Sequence, residues 1–147
     1  MTSNMSYAAI MLAAGIGIPV LAALNAALGT KIGSPVTAAA ILFTIAVSGA
    51  WIIAAFSGFT GLSSLYLAPK HLFLAGLLVL FYVLSITIIA PKFGVGNAVF
   101  FVLLGQIISA SIIDHFGLFG AAVTQINWTR SLGLTLMVAG IGLTRLT

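Results

Sequence analysis

Asp114 is the only acidic residue in a chain of 147, and His115 stands directly beside it in the stretch SIIDHFGLFG. A carboxylate next to an imidazole can relay a proton, meet a cation or hold a helix end in place. Nothing in the sequence extends the pair into catalytic machinery. One acid gives no carboxylate pair, there is no cysteine for a nucleophile or disulfide, and His71 and His115 stand alone without a ligand cluster. No GxxxxGK phosphate loop occurs, so nucleotide-driven chemistry is not expected. These residues point away from an enzyme and from a bound metal or cofactor.

The remaining polar candidates lie inside apolar stretches. Asn25 and Gln106 are amides in segments otherwise built of Ala, Leu, Ile and Val. Polar side chains at such positions are costly in lipid and face a helix-bundle interior or a solute path. Pro19, shortly before Asn25, removes a backbone donor and frees a carbonyl, a device that bends helices around binding sites. Gln106 and Ser109 share a helical face, with Asp114 about two turns on. Either these groups line a path or they are interhelical glue, which contributes about 1 kcal/mol per hydrogen bond. Trp51, Tyr82, Phe100 and Phe101 offer an aromatic wall for an organic ligand, or packing against neighbours and lipid.

The elements that position these residues are membrane helices. Apolar residues make up 62% of the chain and charged residues 4%, and the mean hydropathy is +1.31. A soluble domain carries about a quarter charged residues. The five Lys/Arg are scattered singly at Lys31, Lys70, Lys92, Arg130 and Arg145, so no basic patch exists for nucleic acid. Crossing about 30 Å of hydrocarbon takes roughly 17 to 25 apolar residues as helix. Five such runs are expected, over residues 6–28, 36–56, 72–90, 97–113 and 131–146, forming one transmembrane domain over 1–147. Ser34 suits an N-cap and Pro35 the first helical position of the second span. Pro91 is expected to stop the third. The stretch FGVGNA reads as the start of the fourth, and Asn127, Trp128 and Arg130 suit a membrane interface ahead of the fifth. The N-terminus lacks the basic region of a signal peptide and reads as a retained first span.

Small residues recur every four positions at Ala9, Ala13 and Gly17, at Ala46, Ala50, Ala54 and Gly58, and at Gly105 and Ser109. Such stripes predict close helix packing. With five spans, Lys31, Lys92 and Arg145 fall on one side of the membrane and Lys70 and Arg130 on the other. A three-to-two bias specifies orientation weakly. Two copies inserted in opposite senses would then pair about a pseudo-twofold axis, as the inverted repeats of many transporters do.

The stretches PVLAALNAALGTKIGSPVTAAA (19–40) and GQIISASIIDHFGLFG (105–120) resemble the bacterial YdcZ-type family of the drug/metabolite transporter superfamily. Gly133 and Gly140 in GLTLMVAGIGL resemble the closing helix of that superfamily. Leu21 stands where the family pattern has Gln, and PKHLF where it has a Trp-rich approach to the third span. The resemblance covers essentially the whole chain. It implies an all-α integral membrane protein of five transmembrane helices, half of a ten-helix fold completed by antiparallel dimerisation or by a homologous partner subunit. It implies a multi-pass protein of the bacterial inner membrane, surrounded by lipid.

Together these readings predict a secondary transporter moving a small organic solute through a dimer interface. Asn25, Gln106, Pro19, Ser109, Trp51 and Tyr82 are the candidate cargo contacts. Asp114 and His115 are candidates for an interface or coupling role, with loop anchoring favoured because the acid closes the fourth span. A dual-topology dimeric channel for a small ion, or a structural or regulatory membrane subunit, are the alternatives.

Overall fold

In the computed structural model, which describes residues 2–143 with side chains from Asn4 onward, helix α1 (Thr2–Ile32) continues a turn past the expected boundary at residue 28. Its end is set by Gly33, whose φ of 71° suits a residue without Cβ. The Gly33 amide donates to the Thr30 carbonyl at 3.3 Å and the Ser34 amide to the Gly29 carbonyl at 3.0 Å, the paired closure of a Schellman motif. Ser34 then opens α2 (Pro35–Phe56): its side chain accepts from the Thr37 amide at 3.2 Å, with Pro35 in the first helical turn. The expected N-cap and proline positions are thus both occupied as read. Gly58 repeats the closing motif at the end of α2, where the amides of Gly58 and Phe59 donate to Ala55 and Ala54.

A connection with two short 3₁₀ segments, Leu62–Leu67 and Lys70–Leu74, leads to α3 (Ala75–Phe93). Pro91 lies inside α3 and does not stop it, which corrects the expected end at residue 90. So near the C-terminus the proline withdraws only the amide that would meet the Thr87 carbonyl. The helix closes instead at Gly94, whose amide donates to Ala90 at 2.9 Å. Gly94 alone separates α3 from α4 (Val95–Phe116), so the run FGVGNA does begin the fourth helix, two residues earlier than expected. The last helix, α5 (Trp128–Leu143), is capped by Asn127, whose Oδ1 accepts from the Arg130 amide at 2.8 Å. It begins before the expected residue 131, and the expected end at 146 lies outside the described residues.

The regular elements among the described residues are all helices, and four segments are long and apolar enough to cross a membrane: Asn4–Ile32, Pro35–Phe56, Lys70–Phe93 and Val95–Phe116. Helix α5 has 16 described residues, about 24 Å at 1.5 Å per residue. The chain is an all-α membrane protein.

Contacts divide it into two compact units, residues up to Val95 and residues from Gly96. In the first, α1, α2 and α3 pack on one another. Their buried faces are Ala22, Asn25 and Ala26 on α1, Ala38 and Ala39 on α2, and Val83, Ile86, Thr87 and Ala90 on α3. Alanine and glycine let backbones approach where lipid supplies no hydrophobic drive for association. At Gly29 the approach is closest: an added Cβ would stand 3.1 Å from the Pro35 Cα and 3.3 Å from the Thr87 Cγ2.

The small-residue stripes singled out from spacing lie elsewhere. Ala9, Ala13, Gly17, Ala46, Ala50, Gly58, Gly105 and Ser109 are exposed, and Ala54 is half-buried. Four-residue spacing identifies a face that permits close packing, and α1 carries two such faces. The short Gly33–Ser34 turn brings α2 against the C-terminal half of α1, so Ala22, Ala26 and Gly29 are covered while the N-terminal stripe is left outside.

Candidate functional site

Asn25 reaches the centre of the first unit because residues 22, 26 and 29 around it are small. It is buried, and its Nδ2 donates to the Thr87 Oγ1 at 2.7 Å. Thr87, 1% exposed, donates its own hydroxyl proton to the Val83 carbonyl at 2.7 Å. With its one proton in that bond, Thr87 accepts from Asn25. The nitrogen end of the amide thus faces α3.

On its other side Asn25 borders an open groove of about 290 Å³ between α1 and α2, lined by Leu21, Leu24, Asn25, Leu28, Ile41, Leu42 and Ile45. Asn25 is the one polar side chain in that lining. Leu21 contributes an apolar wall. Pro19 is half-buried inside α1, less than two turns before Asn25, and leaves the Gly15 carbonyl without its helical donor.

The aromatic candidates do not join this groove. Trp51 is 54% exposed and its ring lies 6.2 Å from that of Phe59 in a tilted pair. The Tyr82 hydroxyl is buried and has no hydrogen-bond partner among the described residues. In the second unit Phe100 and Phe101 border a smaller pocket of about 160 Å³ with Leu104, Val138, Ile141 and Gly142.

Gln106 and Ser109 are both exposed on α4. The Ser109 hydroxyl donates to the Gln106 main-chain carbonyl at 3.2 Å, a bond within the helix. Ser111 is the buried hydroxyl of α4, donating to the Ile107 carbonyl at 2.7 Å.

Asp114 meets Arg130 at the other end of the 117–127 connection, with Nη2 and Oδ2 2.5 Å apart. The same guanidinium donates from Nη1 to the Thr124 carbonyl at 2.8 Å, and the Thr124 amide donates to the Asp114 carbonyl at 2.9 Å. One turn of α4, the first turn of α5 and the loop between them are thereby tied together. His115 adds a fourth tie: its Nδ1 accepts from the Ile126 amide at 3.1 Å, so the proton of the neutral ring sits on Nε2. Its ring stands edge-on to Phe116 with centroids 4.7 Å apart. Gly117 turns the chain out of α4 at φ 61°, and Val123 packs so close that an added Cβ would lie 2.7 Å from it.

Thr87 and Arg130 are the partners that reading the sequence missed. Threonine is tolerated anywhere in a membrane helix because it bonds its own i−4 carbonyl, so Thr87 did not stand out. For Arg130 a signal existed: a lone acid ending one span and a cation opening the next are brought together when the connection is short.

Among the described residues no group of three His, Cys, Asp or Glu could hold a metal ion. The chemistry on offer is recognition: an apolar groove with one amide, and a charged clasp at a helix end. No curated protein and no solved structure matches the chain. Residues 6–143 match the family described as "Putative inner membrane exporter, YdcZ". With nearly its whole length matched, and with four helices long and apolar enough to cross a membrane among the described residues, the chain belongs to the YdcZ family of inner-membrane exporters.

Proposed function

We propose that the protein is a secondary transporter that carries a small organic solute, with the groove beside Asn25 as the place where cargo is held. The observation that carries this reading is the buried amide of Asn25, oriented by Thr87 and bordering an apolar groove in a chain of the exporter family. A pure structural amide would have no need of an open groove on its second side.

The working unit is a pair of chains inserted in opposite senses, each contributing five spans, with α5 as the fifth. Support comes from the weak charge bias, and from the exposed small-residue stripes of α1 and α2, which suit helix contact in lipid. The unpaired Tyr82 hydroxyl adds to it, since a buried polar group left without a partner is costly and a second copy or the cargo can supply one. Gln106 and Ser109, exposed on α4, would face the partner or the path.

Proteoliposomes containing the purified chain test the proposal. Saturable counterflow of an organic solute from a labelled panel is the expected result. Rapid uncoupled ion current without counterflow would make the protein a channel, and silence in both assays would make it a structural subunit.

A further inference from the structure

We infer that the groove beside Asn25 takes an uncharged, largely apolar solute bearing one N–H or O–H donor, and turns away organic cations of the same shape. The inference rests on the reading of that groove as the cargo site. Three observations lead to it.

The first is the polarity of the amide. Asn25 presents Nδ2 to Thr87, whose own proton goes to the Val83 carbonyl. No hydrogen bond reaches Oδ1 among the described residues. What Asn25 can offer the groove is therefore an acceptor, and the matching ligand group is a donor.

The second is the wall. Apart from Asn25 the lining consists of leucine and isoleucine only, so the body of the ligand is apolar. At about 290 Å³ the groove sits at the lower end of ligand-site sizes, which run from roughly 300 Å³ upward.

The third is charge. The chain holds one side-chain carboxylate, Asp114, and Arg130 occupies it at 2.5 Å. A second copy brings only another Asp114 with its own Arg130. An ammonium entering the groove would leave water and find one amide dipole in place of a counter-ion, and burying an unpaired charge is far costlier than burying a hydroxyl that gains an acceptor. Cation selectivity would need a carboxylate that this chain does not have to spare.

The test uses two probes of equal shape, 4-tert-butylbenzyl alcohol and its 4-trimethylammonio analogue, in which a nitrogen cation replaces the quaternary carbon. Binding is measured by equilibrium dialysis against the full chain in nanodiscs, with empty nanodiscs subtracted. The wild type is expected to bind the alcohol saturably and the cation at least about tenfold more weakly, a difference of about 1.4 kcal/mol. N25L should lose the alcohol. It should remain folded, because Thr87 keeps its bond to Val83. N25D, which places a carboxylate in the groove, should reverse the order and favour the cation.

Equal or tighter binding of the cation by the wild type overturns the inference. So does an unchanged order in N25D, or saturable binding of neither probe. Counterflow of some other solute alongside any of these results would leave the transporter reading standing while the proposed cargo class fell.

Discussion

Replacing Thr87 by valine should destabilise the protein more than replacing Asn25 by leucine, although asparagine is the more polar residue. The geometry gives the reason. T87V keeps the shape of a side chain that is 1% exposed and removes only its oxygen. The Val83 carbonyl keeps its helical partner, the amide of residue 87, so little is lost there. The Asn25 Nδ2, however, is left buried without an acceptor. Hydrogen bonds between membrane helices average about 0.6 kcal/mol and reach about 1.7, and an orphaned buried donor adds a desolvation penalty of about 1–3 kcal/mol. Part of that penalty is relieved by rotation of the amide toward the open groove, so a cost of about 1–2 kcal/mol is expected. N25L removes both ends of the amide together. Thr87 stays satisfied by Val83, leucine has as many side-chain heavy atoms as asparagine, and the cost should stay below about 1 kcal/mol. The double variant should resemble N25L alone, giving a coupling energy as large as the T87V cost, about 1–2 kcal/mol, in the cycle. Steric-trap unfolding in bicelles measures these differences directly. If N25L proves as destabilising as T87V, or if the two effects simply add, the assignment of Asn25 as donor and Thr87 as acceptor is wrong.

Other substitutions probe the remaining parts of the account. Gly29→Val should cost about 2 kcal/mol or more in the same assay, because a side chain there meets backbone at Pro35 as well as Thr87; a value near zero would mean that α1 and α2 do not approach as closely as described. Asp114→Asn weakens a clasp whose two side chains are 37% and 27% exposed, so the expected loss is only roughly 1 kcal/mol, seen as faster amide exchange at Thr124 and Ile126 with transport retained; abolished transport in a well-assembled protein would instead give the carboxylate a coupling role. Gly117→Ala combines a positive φ with a 2.7 Å contact to Val123 and should loosen the same loop by about 1–2 kcal/mol, read by the same exchange; unchanged exchange would contradict that packing. The chain has no cysteine, so S64C, exposed in the α2–α3 connection, reports topology with an impermeant maleimide: labelling of about half the molecules from each side fits the weak charge bias, and labelling from one side only would exclude an antiparallel homodimer.

How far the sequence disclosed this arrangement differs from residue to residue. The α1–α2 turn was legible because its determinants are local: Gly33 supplies a positive φ, Ser34 an acceptor and Pro35 a fixed φ, all within three positions. Asn25 was legible as a buried group because an amide in an apolar run has few other places to go. The fate of Pro91 was not, since a proline near the end of a helix withdraws one hydrogen bond and need not terminate the chain's path. The face that packs was not legible either. Ala9, Ala13 and Gly17 form a small-residue helical face just as Ala22, Ala26 and Gly29 do, and the choice between them depends on where the neighbouring helices lie. For Asp114 the helix-end position was readable, while its pairing with Arg130 depends on the course of the 117–127 connection. Gln106 illustrates the converse: being polar within a span marks it as notable, but it is exposed where Ser111, a more ordinary residue, is buried.

The most direct measurement for the central claim is solute counterflow in proteoliposomes reconstituted in parallel with wild type, N25L and Q106L at equal amounts of folded protein. The account predicts saturable counterflow in the wild type and its loss in N25L, with the variant still folded and inserted. Undiminished counterflow in N25L would contradict the claim that cargo meets Asn25, and loss in Q106L with N25L unaffected would move the site to α4.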